Sequence, residues 1–251
     1  MNNKPNNTRE LLRRALASQV ELGVNEVIIR RNSRHTAKSD GQNAIQSVTV
    51  GELFPDLNTE LLGRAEYDSL DSHNRAICNC LKCPLGSTRT KFVYGVGNPN
   101  ASLVFIGEGP GKTEDEIGEP FVGQAGKLLD KILEAIKLDR TQVYIANMVK
   151  CRPPNNREPL PEEMEACYPY LMEQLRLIKP KLICALGRVA AQGLLKTNSS
   201  LGKLRGHWHQ FKGMEVLVTY HPAALLRFPS YKKETWEDMK KLRARYDELV
   251  K

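Results

Sequence analysis

LVFIGEGPGKT, residues 103–113, joins a short apolar run to a glycine-rich turn. An apolar run of this length closed by glycine reads as a buried strand. The turn after it has the glycines, lysine and threonine of a phosphate-cradling loop. A P-loop, however, needs four residues between its first glycine and Gly-Lys-Thr, and counting back from Gly111 puts Ile106 where that glycine belongs. Pro110 deepens the mismatch, because such loops hold phosphate with consecutive backbone N–H groups and proline has none. An ATPase reading suffers accordingly, and the turn must serve another ligand.

The strand has companions. Val143 to Val149, Leu182 to Leu186 and Val216 to Tyr220 are similar apolar runs, and helical patterns separate them. Gly126 to Ile136 spaces Leu128, Leu129, Ile132, Leu133 and Ile136 as one helix face, and Pro161 to Ile178 does the same with Met164, Tyr168, Leu171, Met172 and Leu175. A third helix follows Gly187, and Tyr231 to Val250 reads as a long charged one. Strands alternating with helices predict an α/β fold, a three-layer αβα arrangement around a central, mostly parallel four-stranded sheet. Ligands of such sheets bind at the carboxyl ends of the strands, which places the loops after Ile106, Val149, Leu186 and Tyr220 together.

Composition narrows the partner. The chain has 251 residues, 41% of them hydrophobic, which is enough for one sizeable domain plus an appendage. Its formal charge of +8 favours an anionic partner, with nucleic acid first. No apolar run approaches the ~20 residues of a membrane span, and the opening MNNKPNNTRELLRR has no signal-like segment, so a cytoplasmic protein is expected. Residues 1–65 read as a polar, partly disordered extension with one candidate helix from Thr8 to Leu22. The segment from Arg30 to Lys38 is basic, and a working domain is expected over residues 66–251.

Six cysteines in a reducing compartment are thiols, metal ligands or catalytic groups rather than disulfides. Cys80 and Cys83 form a C-x-x-C pair in NCLKCPLG; Cys151 follows a strand in VKCRPP, and Cys167 lies on the next helix. Four sulfurs in two distant pairs can meet, and their spacing leaves zinc and iron–sulfur both open. Cys184, inside LICALG, reads as core, and Cys78 as a spare thiol.

Three further blocks lie in the strand-end loops: GEGPGKTEDEIGEPFVGQAGKLL, NMVKCRPPNNREP and TYHPAALLRFP. In this order, with the four cysteines, they resemble a family 4 uracil-DNA glycosylase, the iron–sulfur branch of that superfamily, over roughly residues 70–245. The resemblance implies a monofunctional glycosylase that flips deoxyuridine out of single- or double-stranded DNA, releases uracil and leaves an abasic site. It also implies a [4Fe-4S] cluster on Cys80, Cys83, Cys151 and Cys167, and a protein acting as a monomer.

The chemistry agrees with the implied roles. Excision needs a stacking face, an edge reader, a stabiliser for the departing uracil anion and a water. Phe121 matches the stacking aromatic. Asn147 matches the uracil reader, an amide that accepts from N3–H and donates to O4. His221 matches the donor to uracil O2, where negative charge develops. In the resemblance, Gly107, Gly109 and Gly111 belong to the loop that forms the pocket floor. Leu225, Leu226 and Arg227 resemble the loop that enters the minor groove. The better-known branch carries a water-positioning aspartate where this chain has Gly109, which leaves Glu108, Glu114 and Asp115 as the available acids. Glu114 is expected to brace the loop through Asn156. Lys150, Arg152, Arg157, Arg205 and Arg227 are candidate phosphate contacts. Two other readings compete: a non-catalytic iron–sulfur protein that binds nucleic acid or senses redox state, and a glycosylase for another deaminated base such as hypoxanthine or xanthine.

Overall fold

A computed structural model describes residues 67–250 together with two strands nearer the N-terminus. The chain divides into two compact units, Met1–Glu66 and Tyr67–Lys251. In the first, β1 (Glu26–Ile29) and β2 (Gln46–Thr49) pair antiparallel, strands that the polar composition did not announce. The expected helix from Thr8 to Leu22 and the basic segment after Arg30 lie outside the described residues.

The second unit is built on a six-stranded sheet. Its members are β3 (Val96–Gly97), β4 (Leu103–Gly107), β5 (Tyr144–Asn147), β6 (Leu182–Leu186), β7 (Trp208–Phe211) and β8 (Met214–Thr219), in the order β3-β5-β4-β6-β8-β7. The expectation of four strands is corrected. The sheet is mixed, because β3 and β7 add antiparallel edges to the run in which β5, β4, β6 and β8 pair parallel.

The helices follow the same chain order: α1 (Leu70–Ile77), α2 (Leu85–Thr88), α3 (Lys112–Ile117), α4 (Gln124–Ala135), α5 (Pro161–Ile178), α6 (Arg188–Leu195), α7 (Leu201–Leu204), α8 (Pro222–Arg227) and α9 (Tyr231–Leu249). Strand alternation sorts them into two layers. Val104, Ile106, Ala146, Ile183, Ala185, Val216 and Val218 face one way and pack against Leu171 and Leu175 of α5 and Ala190 and Leu194 of α6. Leu103, Phe105, Ile145, Leu182, Cys184 and Leu217 face the other way, against Leu129 and Leu133 of α4 and Met239 and Leu242 of α9. Both faces of β4 and β6 are buried along their whole length, as a parallel sheet covered by helices requires.

This topology sets the site. The chain leaves β4, crosses to β5 on one side, then returns to β6 on the other and continues outward to β8, so the connections from β4 and β6 part at a switch point, and the loop after β4 lies between that point and the carboxyl end of β5. Gly107 and Asn147 are register partners at those ends. The pairing continues into the loops, with the Met148 N–H on the Gly107 carbonyl at 2.9 Å and the Val149 N–H on the Glu108 carbonyl at 3.1 Å.

Candidate active site

A cavity of about 420 Å³ opens at the carboxyl ends of the strands, lined among others by Glu108, Gly109, Gly111, Glu114, Phe121, Asn147, Asn156, His221 and Arg227. Residues more than 100 positions apart thus meet in one cleft of a size that suits a nucleobase.

Asn147 ends β5 and is 2% exposed. Its Oδ1 is buried and accepts no hydrogen bond from the described residues. Burying an unpaired amide oxygen costs about 1–3 kcal/mol, a cost that a ligand N–H removes. Gly107 makes room for this group: a methyl there would lie 2.5 Å from Asn147 Oδ1 and 2.6 Å from Phe121 Cζ. The glycine is thus where the amide and the aromatic ring converge.

Phe121 is 5% exposed and has φ +55°, a left-handed conformation that a bulky side chain adopts at a cost of about 1–3 kcal/mol. Three neighbours hold it there. Arg140 donates to the carbonyls of Pro120, at 3.2 Å, and Phe121, while its Nε pairs with Asp130 at 2.6 Å. Gly126 has no Cβ to collide with the Phe121 carbonyl. Glu114 Oε1 accepts the N–H groups of Val122 and Gly123 at 3.0 and 2.8 Å, capping the start of α4. The loop is therefore braced by Glu114, but not through Asn156. That expectation is corrected: Glu114 Oε1 is taken up by the Val122 and Gly123 amides, while Asn156 Oδ1 accepts from Arg152 Nε at 2.8 Å.

His221 follows β8 and caps α8, its Nδ1 accepting the Ala223 N–H at 3.1 Å. An accepting Nδ1 carries no proton, so the neutral ring keeps its proton on Nε2. Burial, with help from the Arg227 guanidinium and against the pull of Glu114, lowers its pKa to about 4. The ring lies 5.4 Å from Phe121, tilted by 31°.

Glu108 is half-buried and its carboxylate makes no hydrogen bond to the described residues. Burial and the nearby Glu158 carboxylate push its pKa up to about 7, against the opposing Arg188 and Arg227. Asp115 is not available to the pocket: it is 3% exposed, and its Oδ1 accepts the Thr90 N–H at 2.9 Å.

Several basic residues have internal partners instead of an open face. Lys150 is 0% exposed and its Nζ donates to the Asn147 carbonyl at 2.9 Å. Arg205 forks onto the buried Asp238 at 3.0 Å. Arg157 grips Glu163 with two bonds of 2.8 and 2.6 Å, and Glu163 in turn caps α5 through the Leu160 N–H at 2.8 Å. Lys150 and Arg205 are thereby withdrawn as phosphate contacts, while Arg227 stays exposed at the cavity rim. In α8, Leu225 is 1% exposed and belongs to the core, so the expected groove contact is corrected for that residue; Leu226 is 46% exposed.

Beside this cleft the cysteines gather. Cys151 and Cys167 are buried with Leu85 and Val149, and Cys83 packs against them. Donors surround the sulfurs: Tyr170 Oη to Cys80 at 3.2 Å, the Lys82 N–H to Cys80 at 3.4 Å, Arg89 Nη1 to Cys151 at 3.3 Å and the Lys150 N–H to Cys167 at 3.3 Å. Arg89 also donates to the Cys80 and Cys78 carbonyls at 2.6 and 2.9 Å, tying the C-x-x-C loop to Cys151. Among the described residues no group of three or more His, Cys, Asp or Glu side chains is set to hold a single metal ion. Cys184 is core, as expected.

Two residues escaped the sequence reading. Arg140 and Gly126 act on the Phe121 backbone, and nothing in their local sequence marks that role.

A base-sized pocket at the switch point of a covered α/β sheet, with an amide, an aromatic ring and a neutral histidine, defines the class: residues 94–240 match the uracil DNA glycosylase superfamily. Among curated relatives, the type-4 uracil-DNA glycosylase of Archaeoglobus fulgidus is 46% identical over 183 residues, covering 70% of this chain and 92% of that protein. The type-4 enzyme of Sulfurisphaera tokodaii is 45% identical over 185 residues, covering 70% and 84%. That of Thermotoga maritima is 47% identical over 152 residues, covering 59% and 78%. The chain belongs to the type-4 uracil-DNA glycosylase family. Among the described residues no helix is long and apolar enough to cross a membrane.

Proposed function

We propose that the cleft receives a uracil flipped out of DNA and hydrolyses its N-glycosidic bond, releasing uracil and leaving an abasic site for base excision repair. The observation that carries this reading is the buried, unpartnered Oδ1 of Asn147, facing a cavity whose other walls are Phe121 and His221. Uracil N3–H is the donor that oxygen lacks. Cytosine presents a bare N3 acceptor there and leaves the oxygen unpaired.

The remaining groups divide the work. Phe121 stacks on the base. As the C1′–N1 bond breaks, the electron pair goes to the ring and O2 gains negative charge, which the Nε2–H of His221 stabilises without transferring its proton. A water oxygen bonds to C1′ and passes a proton to the Glu108 carboxylate or to solvent, and the uracil anion regains a proton from solvent on release. Glu108 is the acid with an uncommitted carboxylate at the pocket, whereas Glu114 is occupied in holding the loop. Leu226 and Arg227, at the rim, face the DNA; Arg227 suits a phosphate.

The cysteine donor set fits a [4Fe-4S] cluster. Cys80, Cys83, Cys151 and Cys167 would hold it, and the N–H and O–H donors aimed at three of those sulfurs suit thiolate ligands. Bound, the group supplies a redox-capable cross-link; base hydrolysis transfers no electrons, so its role here is structural, joining the C-x-x-C loop to the Cys151 loop beside Asn147.

The test is cleavage of a uracil-containing oligonucleotide, with alkali to reveal abasic sites, by the intact protein and by Asn147→Ala and His221→Ala. Uracil-dependent cleavage lost in both variants is the expected result. A folded, iron-loaded preparation that leaves the oligonucleotide uncut overturns the reading and brings forward the binding or sensing alternative. Matched hypoxanthine and thymine substrates check the choice of base.

A further inference from the structure

An aromatic ladder leaves the pocket on the side of α8. Tyr220 immediately precedes His221 and stacks on Tyr231 with ring centroids 4.2 Å apart and planes 1° from parallel. Phe228, one residue beyond Arg227, packs tilted against the outer ring, its centroid 5.7 Å from that of Tyr231 and its plane at 50°. Arg205 closes the inner end, 5.3 Å over the Tyr220 ring, its own charge held by Asp238. The outer end is open: Phe228 is 53% exposed.

Contiguous exposed apolar surface marks an interaction site, and Leu226 and Phe228, 46% and 53% exposed, lie two residues apart at the end of α8. Here the inner rings are fixed by stacking and by α9, so the outer ring is presented on a rigid base. Basic side chains flank it: Arg227 before it, and Lys232 and Lys233 after it, all exposed. Aromatic faces between cations are what unpaired nucleobases and their phosphates select. Because the row starts one residue from His221 and ends one residue from Arg227, both of which line the cavity, a strand that delivers a base to the pocket passes close to it.

Resting on the glycosylase reading, we propose that Phe228, backed by Tyr231 and Tyr220, is a stacking platform for an unpaired base of the same strand as the flipped nucleotide, and so favours single-stranded DNA. In a duplex the neighbouring bases are already stacked on one another and gain little from a protein ring. In a single strand they are free to take it.

The experiment measures fluorescence anisotropy of a labelled, uracil-free single-stranded oligonucleotide and of the same sequence as a duplex. The proteins are the intact chain, Phe228→Ala and Phe228→Trp. Expected is an about tenfold rise in the single-strand Kd for Phe228→Ala, within the range for loss of one base–aromatic stack, restoration by Phe228→Trp, and duplex binding within about twofold. Single-strand and duplex affinities that shift together, or a single-strand affinity that does not shift, overturn the platform. Uracil excision by the intact protein is measured in parallel: its absence overturns the glycosylase reading, whereas the anisotropy result judges the platform on its own.

Discussion

The Ala223 backbone N–H donates to Nδ1 of His221 at 3.1 Å, and that one bond fixes which ring nitrogen carries the proton. A cationic histidine would have to break it, since a protonated Nδ1 cannot accept. With burial and Arg227 already lowering the pKa to about 4, the ring is neutral from mild acid upward. In Glu108→Gln, uracil excision is therefore expected to have no acid limb near the ordinary histidine value of ~6.5, and to lose His221-dependent rate only as pH falls towards 4. A kcat profile between pH 4 and 9 checks this. His221→Ala should lower kcat by about 10²–10³, as loss of one oxyanion-type donor does. The same shift has a stability consequence. His221 is depressed when folded, so the unfolded chain takes up a proton first as pH drops below ~6.5, and this stability contribution is lost between ~6.5 and 4.

Glu108 points the opposite way. Burial and Glu158 raise its pKa to about 7, so near neutrality the folded protein carries a mixture of acid and carboxylate. If the carboxylate assists the attacking water, kcat rises with pH through about 7 in the intact protein and is flat there in Glu108→Gln. The cation-like sugar needs only a weak base, so Glu108→Gln is expected to slow excision less than Asn147→Ala or His221→Ala. Single-turnover rates of the three variants at pH 6 and pH 8 decide it.

The parts of this fold that were legible in the sequence are those where one residue class settles the outcome. β4 and β6 are uninterrupted apolar runs, and α5 opens with a proline at the first turn. The edge strands were not legible: β3 has two residues, and β7, Trp208–Phe211, alternates exposed with half-buried positions between turns. Within the site, Asn147 and His221 stand at strand ends where a ligand is expected. Lys150 stands there too and misled, because its burial is set by distant contacts rather than by its basic loop. Glu114 was legible as a loop brace but not in its partner, since backbone N–H groups carry no sequence signature.

Gly107 offers a steric test of the pocket. A methyl at this position meets Asn147 Oδ1 at 2.5 Å and Phe121 Cζ at 2.6 Å, both closer than carbon contacts tolerate. Asn147 and Phe121 must then move apart, and misplacement by about 1 Å costs about 10²-fold in rate. Gly107→Ala is expected to lower kcat/KM by about that factor while far-UV circular dichroism stays native.

Arg140 restrains the strained turn at Phe121 from outside the cavity. It does not line the cavity, yet it donates to the carbonyls of Pro120 and Phe121. Arg140→Ala removes both donors and lets φ of Phe121 relax. The expected result is a several-fold rise in KM for a uracil-containing strand, together with a loss of about 1–3 kcal/mol in stability from the partly buried carbonyls left unpaired. Urea denaturation read beside the kinetics separates the two effects.

Lys150 links the cysteine region to Asn147. Its Nζ donates to the Asn147 carbonyl at 2.9 Å, and its own backbone N–H donates to the Cys167 sulfur at 3.3 Å. Burial lowers its pKa to about 8, while the adjacent Cys167 and Cys151 sulfurs favour the cation. Lys150→Met keeps the volume and removes the donor, leaving the Asn147 carbonyl buried and unpaired at a cost of about 1–3 kcal/mol. With the proposed cluster on the four cysteines, excision should fall while iron content, measured on the purified protein, is retained. Cys151→Ser should reverse the order of loss, with iron and thermal stability going first and activity only as a consequence. Lys150→Met protein that loses its iron but keeps full activity would mean that the lysine serves the cysteines and not Asn147.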